Sequence, residues 1–122
     1  MIVGKVNQNL EAITRITILD SNLKEHNVNA VLDTGFDGTI TLPLSLINEL
    51  NLERKGSGQA FLADGGEIIF DFFEAVILWN GQQKRIFVDA AETAPLVGMS
   101  LLEGFNISID VCNKGKVEIE LL

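Results

Sequence analysis

Asn80-Gly81 separates two runs rich in β-branched and aromatic residues, 67–78 and 84–89, and restricts the fold more than any other feature of the chain. A two-residue type I′ turn requires positive φ at both central positions, which Asn and Gly accept and most residues do not. The two runs are therefore predicted to pair as an antiparallel hairpin. Asp64-Gly65-Gly66 reads as a second hairpin tip and Asn113-Lys114-Gly115 as a third. Helical periodicity is scarce, and the other apolar runs are short and bounded by Gly, Asn and Asp, so the chain reads as mostly β. Predicted strands cover 2–6, 12–19, 27–32, 39–42, 58–62, 67–78, 84–89, 96–97, 107–111 and 116–121. Along the last, Val117, Ile119 and Leu121 alternate with Glu118 and Glu120, giving one apolar and one charged face. Two short helices are expected: 44–50, entered after Pro43, and 100–104, capped by Ser100 and ended by Gly104.

Hydrophobic residues make up 47% of the 122 residues and charged residues 21%, which suits one folded domain spanning 1–122. Nine Lys and Arg oppose seventeen Asp and Glu, a formal net charge of -8. Such a surface repels phosphate backbones and supplies no cations for counterion release, so nucleic acid is not an expected partner. The lone Cys112 cannot form an internal disulfide, and Asn7, Gln8 and Asn9 interrupt any apolar leader after Met1. The longest wholly apolar run, 75–79, falls far short of the ~20 residues of a membrane helix. The expected setting is the cytoplasm, with no membrane contact.

Ala30-Val31-Leu32 runs into Asp33-Thr34-Gly35, which brings a carboxylate to the end of a buried run through a tight turn. Turn chemistry alone accounts for such a triplet. The chain also echoes itself: the Asp33 segment leads through a loop to the first helix, and Ala94-Pro95-Leu96-Val97-Gly98 leads to the second. That repetition suggests a pseudo-symmetric barrel.

With its flanks, Ala30-Val31-Leu32-Asp33-Thr34-Gly35-Phe36-Asp37-Gly38 followed by Thr39-Ile40-Thr41-Leu42-Pro43 resembles the retropepsin-like aspartic proteases. That single-domain family includes the retroviral proteases and a bacterial and archaeal branch. Ala63-Asp64-Gly65-Gly66 resembles its flap hairpin, and Leu96-Val97-Gly98-Met99-Ser100-Leu101-Leu102 its apolar-apolar-Gly signature before a helix. Order and spacing agree from about residue 27 to 111.

The resemblance implies a closed acid-protease-type β-barrel with one or two short helices. It also implies an endopeptidase with no cofactor and no metal, in which two carboxylates share one proton. One activates water and the other polarises the scissile carbonyl. This chain supplies a single Asp-Thr-Gly, and Leu96-Val97-Gly98 holds no acid, so the resemblance requires a homodimer with Asp33 from each subunit on a two-fold axis. It further implies that Thr34 and Gly35 support the loop, with Thr34 bonding across the two-fold. Phe36 and Asp37 would contact an extended peptide or protein substrate, under a flap containing Asp64, Gly65 and Gly66.

Three features depart from the family pattern. Phe36 stands where many members have Ala or Ser, Met99 stands where the retroviral branch has Arg, and the chain ends show no copy of the retroviral interdigitated sheet. The bulk of Phe36 favours an alternative, a non-catalytic dimeric peptide-binding or assembly module on the same fold. A small-molecule-binding barrel without the dyad is a third reading. Elsewhere, His26 reads as a surface residue, Cys112 as a strand-end residue and Gly56-Ser57-Gly58 as a flexible turn that lacks the Lys of a phosphate loop. Asn106-Ile107-Ser108 spells a glycosylation acceptor without a use. Phe70, Phe72 and Phe73 with Val76, Leu78 and Trp79 are candidates to line a peptide groove, yet their period-two placement makes most of them core.

Overall fold

A computed structural model describes residues 1–122. The strands are β1 Ile2–Val6, β2 Ala12–Leu19, β3 Glu25–Leu32, β4 Ile40–Leu42, β5 Glu53–Phe61, β6 Glu67–Trp79, β7 Gln82–Ala90, β8 Leu96–Val97, β9 Phe105–Ile109 and β10 Lys116–Leu121. Helix α1, Leu44–Glu49, follows β4, and helix α2, Met99–Leu102, follows β8. Neither helix is long enough to be stable alone, so packing holds both: α1 buries Ile47 and α2 buries Leu101 and Leu102. No helix is long and apolar enough to cross a membrane.

All strands join one sheet in the order β5-β6-β7-β4-β8-β3-β2-β1-β10-β9, and β2 pairs a second time with β6. The 13-residue β6 permits this. Along one side it pairs first with β5 and then with β2, while β7 runs along the other. The sheet thus turns back on itself, and its inner face receives Ile16 and Ile18 of β2, Phe73, Ala75, Ile77 and Trp79 of β6, and Ile86 and Val88 of β7. Strict alternation along β6 puts these side chains on one face, as a half-buried strand requires.

The topology is internally two-fold. Antiparallel β2–β3 corresponds to β6–β7, and parallel β3–β8 to β7–β4. The pairs β2–β6 and β4–β8 lie across the pseudo-axis. Ile40 is opposite Val97 across that axis, Leu32 is opposite Val97 and Val88 is opposite Ile40, so the register makes Val88 the counterpart of Leu32 and Asp89 that of Asp33. The sequence echo had matched the Asp33 segment to Gly98. In the structure β8 and α2 instead repeat β4 and α1, because a strand followed by a helix recurs one element later than the echo placed it.

Asn80 and Gly81 take φ of 52° and 79°, the type I′ geometry expected of them. Several boundaries differ from expectation. β3 starts at Glu25, and β5 starts at Glu53, which places Gly56-Ser57-Gly58 inside a strand rather than in a turn. The rings of Phe72 and Phe70 lie over these two glycines from the neighbouring strand, filling the space a side chain would take. Phe70, Phe72, Val76 and Leu78 are half-buried, and of the six residues read as mostly core only Phe73 and Trp79 are buried. β9 ends at Ile109, so exposed Cys112 lies in the following loop. Ser100 does not cap α2; Gly98 occupies the N-cap, and the Ser100 hydroxyl donates to the Asp37 carbonyl. Gly104, at φ 87°, does stop the helix.

Fully buried Ile77 faces fully buried Ile18 where the sheet turns back. Ile77→Ala should cost about 2–5 kcal/mol through lost transfer energy and a cavity. Urea unfolding should show a lower midpoint with an unchanged slope.

Candidate active site

Leu32 ends β3 in parallel register with Val97 of β8, and the Asp33 N–H donates to the Val97 carbonyl at 2.9 Å. The acid therefore leaves the sheet at a fixed point. The chain then turns, with the Phe36 N–H donating to the Asp33 carbonyl at 3.2 Å and the Gly35 N–H to Asp33 Oδ1 at 2.9 Å. The second bond fixes the carboxyl plane from within its own loop. Asp33 is half-buried, while Thr34 and Gly35 form an exposed apex.

The segment after β8 clamps the rest of the loop. Gly98 N–H donates to the Thr39 carbonyl at 2.8 Å, Met99 N–H to Phe36 at 2.8 Å and Ser100 N–H to Gly38 at 3.1 Å. A methyl group on Gly98 would overlap the Gly38 carbonyl oxygen and sit 2.8 Å from that of Phe36, so this approach admits only glycine. The retroviral Arg position is filled by Met99, which contributes its backbone N–H to the loop and leaves its side chain 46% exposed. Phe36 lays its ring beside Gly38 and Gly98, two positions without side chains.

A groove of ≈ 520 Å³ opens beside this loop. Phe36, Thr41 and Leu44 form one side, Ala60, Ile68, Ile69 and Phe70 of the β5–β6 hairpin the other, and 89–93 the floor. The hairpin tip is closed by the Leu62 N–H to Gly66 carbonyl bond at 2.7 Å and by Gly66 N–H to Asp64 Oδ1 at 2.8 Å. Gly65 alone of the two tip glycines takes positive φ, at 87°. Phe61 is 77% and Ile69 69% exposed, an apolar surface suited to covering an apolar ligand.

Of the residues singled out from sequence, Phe36 lines the groove. Asp33, Thr34, Gly35 and Asp37 belong to the adjoining loop, and Asp64, Gly65 and Gly66 to the hairpin tip beyond the groove wall. The sequence reading missed Asp89. Burial first, and then the Asp37 charge, push the Asp89 carboxyl above its usual 3.8. Its one sequence signal is an acid inside the apolar run Ile86-Phe87-Val88-Asp89-Ala90-Ala91. The other acids along the groove are engaged: Asp71 accepts from Arg54 and Ser57 at 3.0 Å each, and Glu92 from the Leu44 N–H at 3.2 Å.

His26 is half-buried, with Nε2 2.8 Å from Asp20 Oδ2. That bond, and then one from the Lys24 N–H, hold the Asp20 carboxyl below its usual value. Asp20 borders a separate hollow of ≈ 240 Å³ that none of the Asp33-loop or hairpin-tip residues lines. No three His, Cys, Asp or Glu side chains converge as a metal-binding group.

No protein-family model and no curated protein matches the sequence. Among solved structures, EIAV protease complexed with the inhibitor HBY-793 is similar, at 25% sequence identity and a TM-score of 0.56. The match covers 76% of this chain and 86% of that one. The fold is retropepsin-like. It is the fold of an aspartic protease.

Because ionising Asp89 is unfavourable in the folded state, its stability penalty is absent below about pH 3.8, grows as pH rises from there towards the elevated value, and is complete above it. Asp89→Asn should therefore raise the melting temperature at pH 7. The difference should vanish near pH 3, as read by thermal denaturation across that range.

Proposed function

We propose that the chain is a homodimeric aspartic endopeptidase on a closed acid-protease-type barrel. The observation that carries this reading is the Asp33 carboxyl, oriented by its own Gly35 N–H in a loop clamped through Gly98, next to a groove under an apolar flap. A second acid is needed for the chemistry, and the chain carries a single Asp-Thr-Gly. The dyad partner is then Asp33 of a second copy, with exposed Thr34 placed to bond across the two-fold.

In that dimer an ionised Asp33 takes a proton from water as its oxygen attacks the scissile carbon. The protonated Asp33 of the second subunit donates to the carbonyl oxygen. The tetrahedral adduct collapses as the C–N bond breaks and the leaving nitrogen takes a proton from the dyad. The peptide lies extended between the flap and the Asp33 loop, contacting Phe36 and Asp37. The free, exposed Cys112 suits a reducing compartment such as the cytoplasm.

The position of Phe36 favours a second reading. Its ring fills part of the groove wall next to the acid, which fits a module that binds peptides without cleaving them. Asp33→Asn separates the two, since it removes the ionisable group and retains the loop. Cleavage of a peptide library should fall by at least ~10²-fold while peptide binding persists. Wild-type cleavage should accompany a sedimenting mass near twice 13.3 kDa. Equal cleavage by Asp33→Asn, or cleavage by a species that stays monomeric, rejects the shared dyad.

A further inference from the structure

Resting on the peptide-binding reading above, we propose that the groove beside Phe36 receives a basic side chain, arginine or lysine, from the bound peptide, and that Asp89 selects it. Apolar walls from Phe36, Ile68, Ile69 and Phe70 match the methylene stem of such a residue. The charged head then meets Asp89. This carboxylate lies on β7 opposite Thr41 of β4, and a methyl on Gly38 would come within 3.4 Å of its Oδ2, so it stands against the Asp33 loop.

The groove holds three acids, Asp71, Asp89 and Glu92, and two have partners within the chain. Asp71 bonds Arg54 and Ser57, and Glu92 takes the N–H that opens α1. Asp89 has only burial and the like charge of Asp37 acting on it, both of which oppose its ionisation. A cation relieves both effects through a charge-assisted hydrogen bond. An aliphatic side chain would bury the carboxylate further without a partner, and an acidic one would add a third negative charge. Charge complementarity therefore decides among occupants that all fit the volume.

The test is a selection from a displayed library of random octapeptides. Asp33→Asn is the bait, so that bound peptides survive, and Asp33→Asn/Asp89→Asn is the comparison. Arginine or lysine should be enriched at one fixed position by the first and not by the second. Replacing that arginine by citrulline in an enriched peptide should weaken binding to the Asp89-intact chain about tenfold or more, the scale of a hydrogen bond to a charged group. The citrulline comparison needs no Asp89 variant and so stands even if the double variant misfolds.

Enrichment without a basic residue, equal enrichment by both baits, or no enriched peptide at all overturns the assignment. Wild-type digestion of the enriched peptides tests the protease reading separately. Basic enrichment without cleavage sinks the endopeptidase and leaves the selectivity standing. Cleavage indifferent to basic residues does the reverse.

Discussion

The approach of Gly98 to the Asp33 loop is the constraint on which the rest of the site depends. Parallel pairing of β3 with β8 fixes where the acid leaves the sheet. The backbone N–H groups of Gly98, Met99 and Ser100 then bind the loop carbonyls of Thr39, Phe36 and Gly38, so the loop is held by main chain rather than by an ion pair. This explains how Met99 can stand where an arginine is expected. It also explains the Phe36 ring, which has room because Gly38 and Gly98 both lack side chains.

Much of this was legible in sequence, for reasons that are local. Asn80-Gly81 dictates its turn by φ alone, and the Asp33-Thr34-Gly35 loop is short enough for its own hydrogen bonds to shape it. What was not legible depended on distant partners. Gly56-Ser57-Gly58 looks like a turn until Phe72 and Phe70 on β6 cover the glycines and make a strand of them. The period-two rule named the right strand in β6 but counted both of its faces as core: Phe73 and Trp79 are buried, whereas on the other face Phe70 lines the groove and Phe72 packs edge-on against Phe87. Asp89 escaped notice since nothing in its own strand reveals its burial or the Asp37 charge that acts on it.

Electrostatically, the molecule divides its acids between stabilising and poised roles. Asp20, Asp71 and Glu74 are held ionised by His26, Arg54 and Arg85, the first-named partner in each case. All remain in contact with solvent, and screening keeps such pairs modest. Their contribution is present above the ordinary carboxylate range and is lost as pH falls through their lowered values. Asp89 runs the other way, losing favour as it ionises. Asp89, whose ionisation the fold opposes, lines the groove beside the Asp33 loop.

The pairing of β1 with both β2 and β10 closes the chain ends into the subunit's own sheet. Ile119 and Val117 are fully buried by that arrangement, so each copy owns the core it needs. A core of this kind needs no second copy to complete it, so any association is a concentration-dependent step distinct from folding. If two such copies complete the active centre proposed above, it would act as a sensor of its own abundance: dilution would silence it reversibly, and crowding of the chain on a scaffold would turn it on.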